Sequence, residues 1–181
     1  MINQKVTKNI NIVLIGYRGV GKTTIARVLA DMFGMPLFSV DNEIEKEMGL
    51  SVYEISQKFG WERFRAEESK RIAMLADWKG WVIDSGGGVI LEKNNVVNLK
   101  KNGVIFWLKA NVDTIIKRLR DDVPRPSLTG SQSFLDETPQ VLKEREPKYM
   151  AVSDHIIDAN GSTAEIADEI IKYLEQNSII V

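Results

Sequence analysis

Short apolar runs recur along the chain, each followed by a longer stretch in which apolar and polar positions alternate with helical spacing. Ile10-Asn11-Ile12-Val13-Leu14-Ile15 is the first such run, and its nearly continuous aliphatic character predicts a strand covered on both faces. Thr24 to Met32 then reads as a helix, Met35 to Val40 as a second strand, and Asn42 to Ala76 as a helical region broken near Gly49 and Gly60. Between the breaks, Ser51 and Glu54 have the spacing of a capping box. Trp81-Val82-Ile83 and Val104 to Leu108 predict two further buried strands. Asn111 suits the N-cap of a helix ending at Arg120, and Thr138-Pro139 opens another toward Met150, because proline fits the first helical turn. His155-Ile156-Ile157 predicts a short fifth strand, and Ser162 with Glu165 a second capping box before the final helix. Strand and helix alternating over the whole length predict an α/β fold, a three-layer sandwich with a five-stranded parallel sheet and helices on both faces. Asp121 to Leu135 fits no element, and a loop of that length inside a compact domain is expected to serve function; it is read as a mobile lid.

The turn between the first strand and the first helix carries the chemistry. Gly16-Tyr17-Arg18-Gly19-Val20-Gly21-Lys22-Thr23 satisfies G-x-x-x-x-G-K-[ST], with a strand before it and a helix after it. Backbone N–H groups of Gly19, Val20, Gly21, Lys22, Thr23 and Thr24 can converge on phosphate oxygens at the positive end of the helix. Lys22, expected to be an exposed side chain, can reach the outer phosphates, and the Thr23 hydroxyl can ligate Mg²⁺. A plain glycine turn explains neither the lysine nor the hydroxyl. The fold is therefore expected to be P-loop NTPase-like, with ATP and Mg²⁺ as cofactors.

Composition narrows the partners. A chain of 181 residues with 44% hydrophobic content suits one domain, spanning 1–181. Basic and acidic residues number 24 and 25, so no general nucleic-acid-binding surface is indicated. There is no cysteine, hence neither a disulfide framework nor a thiolate zinc site. The first apolar run ends at Gly16, too short for a membrane span and without a cleavage signal. A cytoplasmic monomer with a small-molecule substrate is expected.

Beyond the P-loop, Asp41 follows the second strand, Phe64-Arg65 follows Gly60, Gly86-Gly87-Gly88 follow the third strand, Arg125-Pro126 lie in the lid, and Arg145 precedes Tyr149 by four residues. In this order the motifs resemble the shikimate kinase family over nearly the whole chain. The resemblance implies ATP-dependent phosphorylation of shikimate to shikimate 3-phosphate. Lys22, Asp41 and Arg125 would be catalytic, Asp41 taking the proton of the attacking hydroxyl and Arg125 facing the transferring phosphoryl group. Arg65 and Arg145 would grip the acceptor carboxylate as planar forks, beside Gly86, Gly87 and Gly88. Arg118 would lie over the adenine ring. Two alternatives stand beside this reading: a kinase of the same fold for gluconate or an aminated shikimate analogue, and a P-loop nucleotide switch without an acceptor.

Taken singly, these residues have plainer readings. Asp41 fits a helix N-cap, Arg65 and Arg145 fit solvated helix faces rich in Glu and Lys, and the triple glycine fits a tight turn. Arg118 also suits a basic helix end, and His155 a structural role. Three positions depart from the family pattern. Ser39 stands where a first aspartate is usual, Ser56 where a phenylalanine faces the substrate ring, and Trp61 where a glutamate is common. Asp84, after three apolar strand residues, is positioned either to replace the missing metal-site carboxylate together with Thr23 or merely to cap the glycine turn.

Overall fold

The computed structural model describes residues 9–120, 126–130 and 133–180. Arg125 and part of the predicted lid lie outside the described residues. The elements run β1 (Asn11–Ile15), α1 (Lys22–Phe33), β2 (Leu37–Ser39), α2 (Val40–Met48), α3 (Val52–Leu75), β3 (Val82–Asp84), a single 3₁₀ turn (Val89–Leu91), α4 (Lys93–Lys101), β4 (Gly103–Lys109), α5 (Val112–Arg120), α6 (Thr138–Val152), β5 (His155–Asp158) and α7 (Thr163–Gln176). The five strands form one parallel sheet, as the alternation predicts, and their order is β2-β3-β1-β4-β5.

β1 is central, and every residue in it is buried. Its side chains alternate between two cores. Ile12 and Leu14 pack with Ile25 and Leu29 of α1, Leu119 of α5 and Ile170 of α7. Val13 and Ile15 face the other way, toward Ile44 of α2, Phe64 and Ile72 of α3, and Tyr149 of α6. The one polar residue of the strand, Asn11, is satisfied where the strand begins, donating to the Trp78 carbonyl (2.8 Å) and accepting from the Trp81 N–H (3.0 Å).

Both predicted capping boxes form, at Ser51/Glu54 and Ser162/Glu165. Asn111 accepts from the Thr114 N–H (2.8 Å), as an N-cap residue should. α3 consists of two helical segments joined across a kink at Gly60, φ 79° and ψ 166°, the break that the sequence predicts. Among the described residues no helix is long and apolar enough to cross a membrane.

The register decides where chemistry can gather. Asp84 pairs with Ser39 on one side and Leu14 on the other, so the C-terminal ends of β2, β3 and β1 lie side by side. The P-loop leaves β1, Asp41 follows β2 and the triple glycine follows β3. Ligands of open parallel sheets bind at this edge.

Candidate active site

Two adjoining cavities, about 440 and 400 Å³, open at this edge, and Arg18, Thr23, Asp41, Asp84 and Gly87 belong to the walls of both. The smaller is the P-loop end. Gly19, Val20, Gly21, Lys22, Thr23 and Thr24 line it together with Arg118, Gly161 and Thr163. α1 begins at Lys22 directly after Gly21, so the helix N-terminus opens into the cavity.

Lys22 is only 9% exposed, contrary to the expectation from sequence. The loop wraps its ammonium group, which donates to the carbonyls of Gly16 (3.0 Å) and Tyr17 (3.2 Å) in place of water. Thr23 Oγ1 donates to Asp84 Oδ2 (2.7 Å), and Ser39 Oγ donates to the same oxygen (3.1 Å). Ser39 is the N-cap residue of α2, yet it makes no cap with its side chain. Asp41 consequently sits inside the first turn, and its reading as an N-cap is overturned. Arg118 is more than a basic helix end. It reaches from α5 to the carbonyls of Val20 (3.0 Å) and Ala159 (2.9 Å), forming a wall of the smaller cavity.

The larger cavity holds the acceptor candidates. Arg65 Nη1 donates to Glu68 Oε2 (2.7 Å), and its guanidinium carbon lies 5.4 Å from the Trp61 ring centroid and 5.2 Å from that of Phe64. Arg145 Nη1 donates to the Gly87 carbonyl (3.1 Å), which also accepts from the Tyr149 hydroxyl. Burial pushes Tyr149 up to about 12, so it is a neutral donor at physiological pH. The triple glycine is not merely a turn. A Cβ at Gly88 would lie 2.2 Å from the Arg65 guanidinium carbon, and one at Gly86 would lie 2.3 Å from Glu68 Oε1 and 2.8 Å from Asp41 Oδ1. Bare backbone is what lets these side chains come so close.

Asp41 is the electrostatic centre. Burial, then the nearby carboxylates of Glu68 and Asp84, push its pKa from 3.8 to about 6, against the opposing pull of Lys22 and Arg65. Its Oδ1 and the Oε1 of Glu68 are buried and have no hydrogen-bond partner. Glu68 itself is fully buried, and burial raises its pKa despite the Arg65 ion pair.

The structure corrects one sequence reading here. Glu67 and Glu68 are 8% and 0% exposed, so the face of α3 carrying Arg65 is not a solvated one. Ser56 gives its hydroxyl to the Tyr53 carbonyl (2.8 Å) of its own helix. Val52, Tyr53, Trp61 and Phe64 supply the apolar wall instead. Trp61 points into that wall and donates Nε1–H to the Ser127 carbonyl (2.9 Å). His155 stacks on Tyr173 at 4.5 Å, far from this chemistry, in keeping with a structural role.

Sequence reasoning missed three charged residues at or beside the site: Glu68, Arg18 and Glu137. The available signals were the i,i+3 spacing of Glu68 from Arg65 and an arginine at a variable position of the P-loop. Glu137, fully buried, gave no local signal beyond preceding Thr138-Pro139.

A family model described as shikimate kinase matches residues 18–175. The shikimate kinase of Thermodesulfovibrio yellowstonii is 40% identical over 93% of this chain and 96% of its own length. That of Syntrophus aciditrophicus is 37% identical over 90% and 89%. The structure of the Acinetobacter baumannii shikimate kinase in complex with shikimate superimposes with a TM-score of 0.86 at 32% identity, covering 95% of this chain and 96% of that one. A gluconokinase from Sinorhizobium meliloti shares the fold alone, at 16% identity and a TM-score of 0.60. The matched span takes in the P-loop from Arg18 onward, Asp41, the arginine forks and the triple glycine, and on that extent of agreement this chain belongs to the shikimate kinase family.

Proposed function

We propose that this protein transfers the γ-phosphoryl group of ATP to a hydroxyl of shikimate. The observation that carries the reading is the shared wall. A phosphate cradle and a cavity bearing two arginines meet at Asp41, a carboxylate with a buried oxygen that lacks a hydrogen-bond donor. A hydroxyl held there would satisfy Asp41 and lose its proton to it as the phosphorus–oxygen bond forms. A pKa near 6 leaves Asp41 ionised at neutral pH yet basic enough to accept that proton. Glu68 Oε1 offers a second acceptor for a ring hydroxyl. Lys22 would follow the phosphates as charge moves, and Arg125, outside the described residues, is assigned to the transferring group by the family resemblance. A nucleotide switch needs no acceptor cavity behind its phosphate site. A coupled ADP-release assay with shikimate, gluconate and an aminated shikimate should show turnover dependent on shikimate; ADP release indifferent to acceptor would overturn the proposal.

Arg65 and Arg145 are proposed to hold the acceptor carboxylate. Each charge-assisted bond is worth about 1.5–3 kcal/mol, so replacing either arginine by alanine should raise shikimate KM roughly 10- to 100-fold. Nucleotide affinity should stay near wild type, because neither residue lines the phosphate cavity. An analogue without the carboxylate should no longer distinguish variant from wild type. Unchanged shikimate affinity in both variants would refute this assignment.

Thr23, Ser39 and Asp84 gather hydroxyl and carboxylate oxygens at the cradle, a hard donor set that suits Mg²⁺. Among the described residues no group of three or more His, Cys, Asp or Glu could hold a metal by itself. An ion here would complete its shell with phosphate oxygens and water, as Mg²⁺ does. We assign Thr23 and Asp84 to it; the bound ion would neutralise phosphate charge. Because Ser39 and Asp84 are register partners on adjacent strands, a carboxylate on either reaches the same place. Asp84→Ala should raise the Mg²⁺ concentration that nucleotide binding requires in calorimetry and lower kcat, and adding Ser39→Asp should recover much of both. An unchanged Mg²⁺ dependence in the single variant would leave Asp84 only its local hydrogen bonds.

A further inference from the structure

Arg18 belongs to the P-loop, and its guanidinium reaches across to the segment that precedes α6. Nη1 donates to the Pro126 carbonyl (2.7 Å), and Nη2 to the Phe134 carbonyl (3.4 Å) and to Glu137. Glu137 in turn collects the polar groups of the same loop. Its carboxylate accepts from the backbone N–H of Leu128 (2.8 Å) and Thr129 (2.9 Å) and from the hydroxyls of Ser127 and Thr129 (2.8 Å each). Burial opposes the charge on Glu137, yet these donors hold its carboxyl below the usual range. It remains ionised opposite Arg18.

The loop so anchored is a wall of the acceptor cavity, through Pro126 and Leu128, while Trp61 fastens it from the α3 side at Ser127. A buried ion pair contributes little net stability compared with an apolar pair; what it supplies is position. Arg18 also lines both cavities, and its Nε is buried without a hydrogen-bond partner.

We propose that Arg18 and Glu137 are a positioning pair that makes the loop at 126–129 an extension of the P-loop, so that filling the phosphate cradle tightens the acceptor wall. Neither residue touches the reacting atoms. The pair couples the two ligands, and by linkage the coupling is reciprocal: nucleotide raises acceptor affinity by the factor by which acceptor raises nucleotide affinity. The inference rests on the kinase reading for the identity of the acceptor but not for the connection between loop and cradle.

The test compares wild type with Arg18→Met, which keeps bulk without the fork, and Glu137→Gln, which keeps shape without the charge. Hydrogen exchange of the Leu128 and Thr129 amides should slow about tenfold when ADP and Mg²⁺ are added to wild type, and should not respond in Arg18→Met. Shikimate KM should rise about tenfold in both variants, with the Kd for ADP changed less than about threefold. Arg18→Lys, which restores the charge beside Glu137 but not the planar fork, should recover part of the response. Amides that respond equally to ADP in wild type and Arg18→Met would overturn the proposal, as would an unchanged shikimate KM in both variants. If wild type proves not to phosphorylate shikimate, the exchange measurement still decides the matter, because it uses nucleotide alone.

Discussion

Asp41→Asn should lower kcat by about 10²–10⁴-fold, the usual contribution of a positioned general base, and at the same time make the unliganded protein more stable at neutral pH. The second half follows from the position of the carboxylate, buried against Glu68 and Asp84 with Oδ1 lacking a partner. Its folded-state pKa of about 6 lies above the ordinary 3.8, so the native state binds the proton more tightly than the unfolded chain does. Stability from this group is fully present below about pH 4 and is lost as pH rises through about 6. Asparagine cannot ionise and escapes the loss. A rise from 3.8 to about 6 corresponds to at most about 3 kcal/mol, and about 2–4 °C of melting temperature accompanies each kcal/mol in a chain of this size. Thermal melts at about pH 4 and pH 8 should therefore show a variant advantage that appears only at the higher pH. An equal advantage at both would mean that the Asp41 charge is not what destabilises the site.

Lys22→Ala should abolish nearly all phosphoryl transfer, with kcat falling by about 10³-fold or more, because no other residue of the cradle can follow the outer phosphates as charge develops. Stability should also drop, which a solvent-exposed lysine would not predict. The ammonium group bridges the carbonyls of Gly16 and Tyr17 across the loop, and two such bonds are worth roughly 1–3 kcal/mol in all. A coupled ADP assay and a thermal melt on the same preparation check both. Near-normal turnover would remove the P-loop from the mechanism.

What could be read from the sequence divides along a physical line. β1 was legible because its aliphatic run is nearly continuous, and both capping boxes because their hydrogen bonds close within four residues. α4 escaped notice. Its sequence Lys93-Asn94-Asn95-Val96-Val97-Asn98-Leu99 has three asparagines, few apolar positions and no side-chain cap, and only packing makes it a helix. The forks at Arg65 and Arg145 were found through the order of motifs, whereas their electrostatic setting was not. No local rule says that the backbone at Gly88 will lie so close to the Arg65 guanidinium or that Glu68 will be fully buried. Arg18 and Glu137 are 119 residues apart, and a contact of that separation leaves no trace in local periodicity.

The pairing of Ser39 with Asp84 bears on how such sites are traced through a family. A negative charge that two neighbouring strands can supply interchangeably belongs to a point in space and not to a column of residues. Counting position by position, a serine for aspartate on β2 and an aspartate on β3 would register as one lost ligand and one unrelated polar residue. On the metal assignment proposed above they are a single relocated carboxylate across the ladder, and a comparison that scores cross-strand neighbours jointly would register one charge kept in place of one lost and one gained.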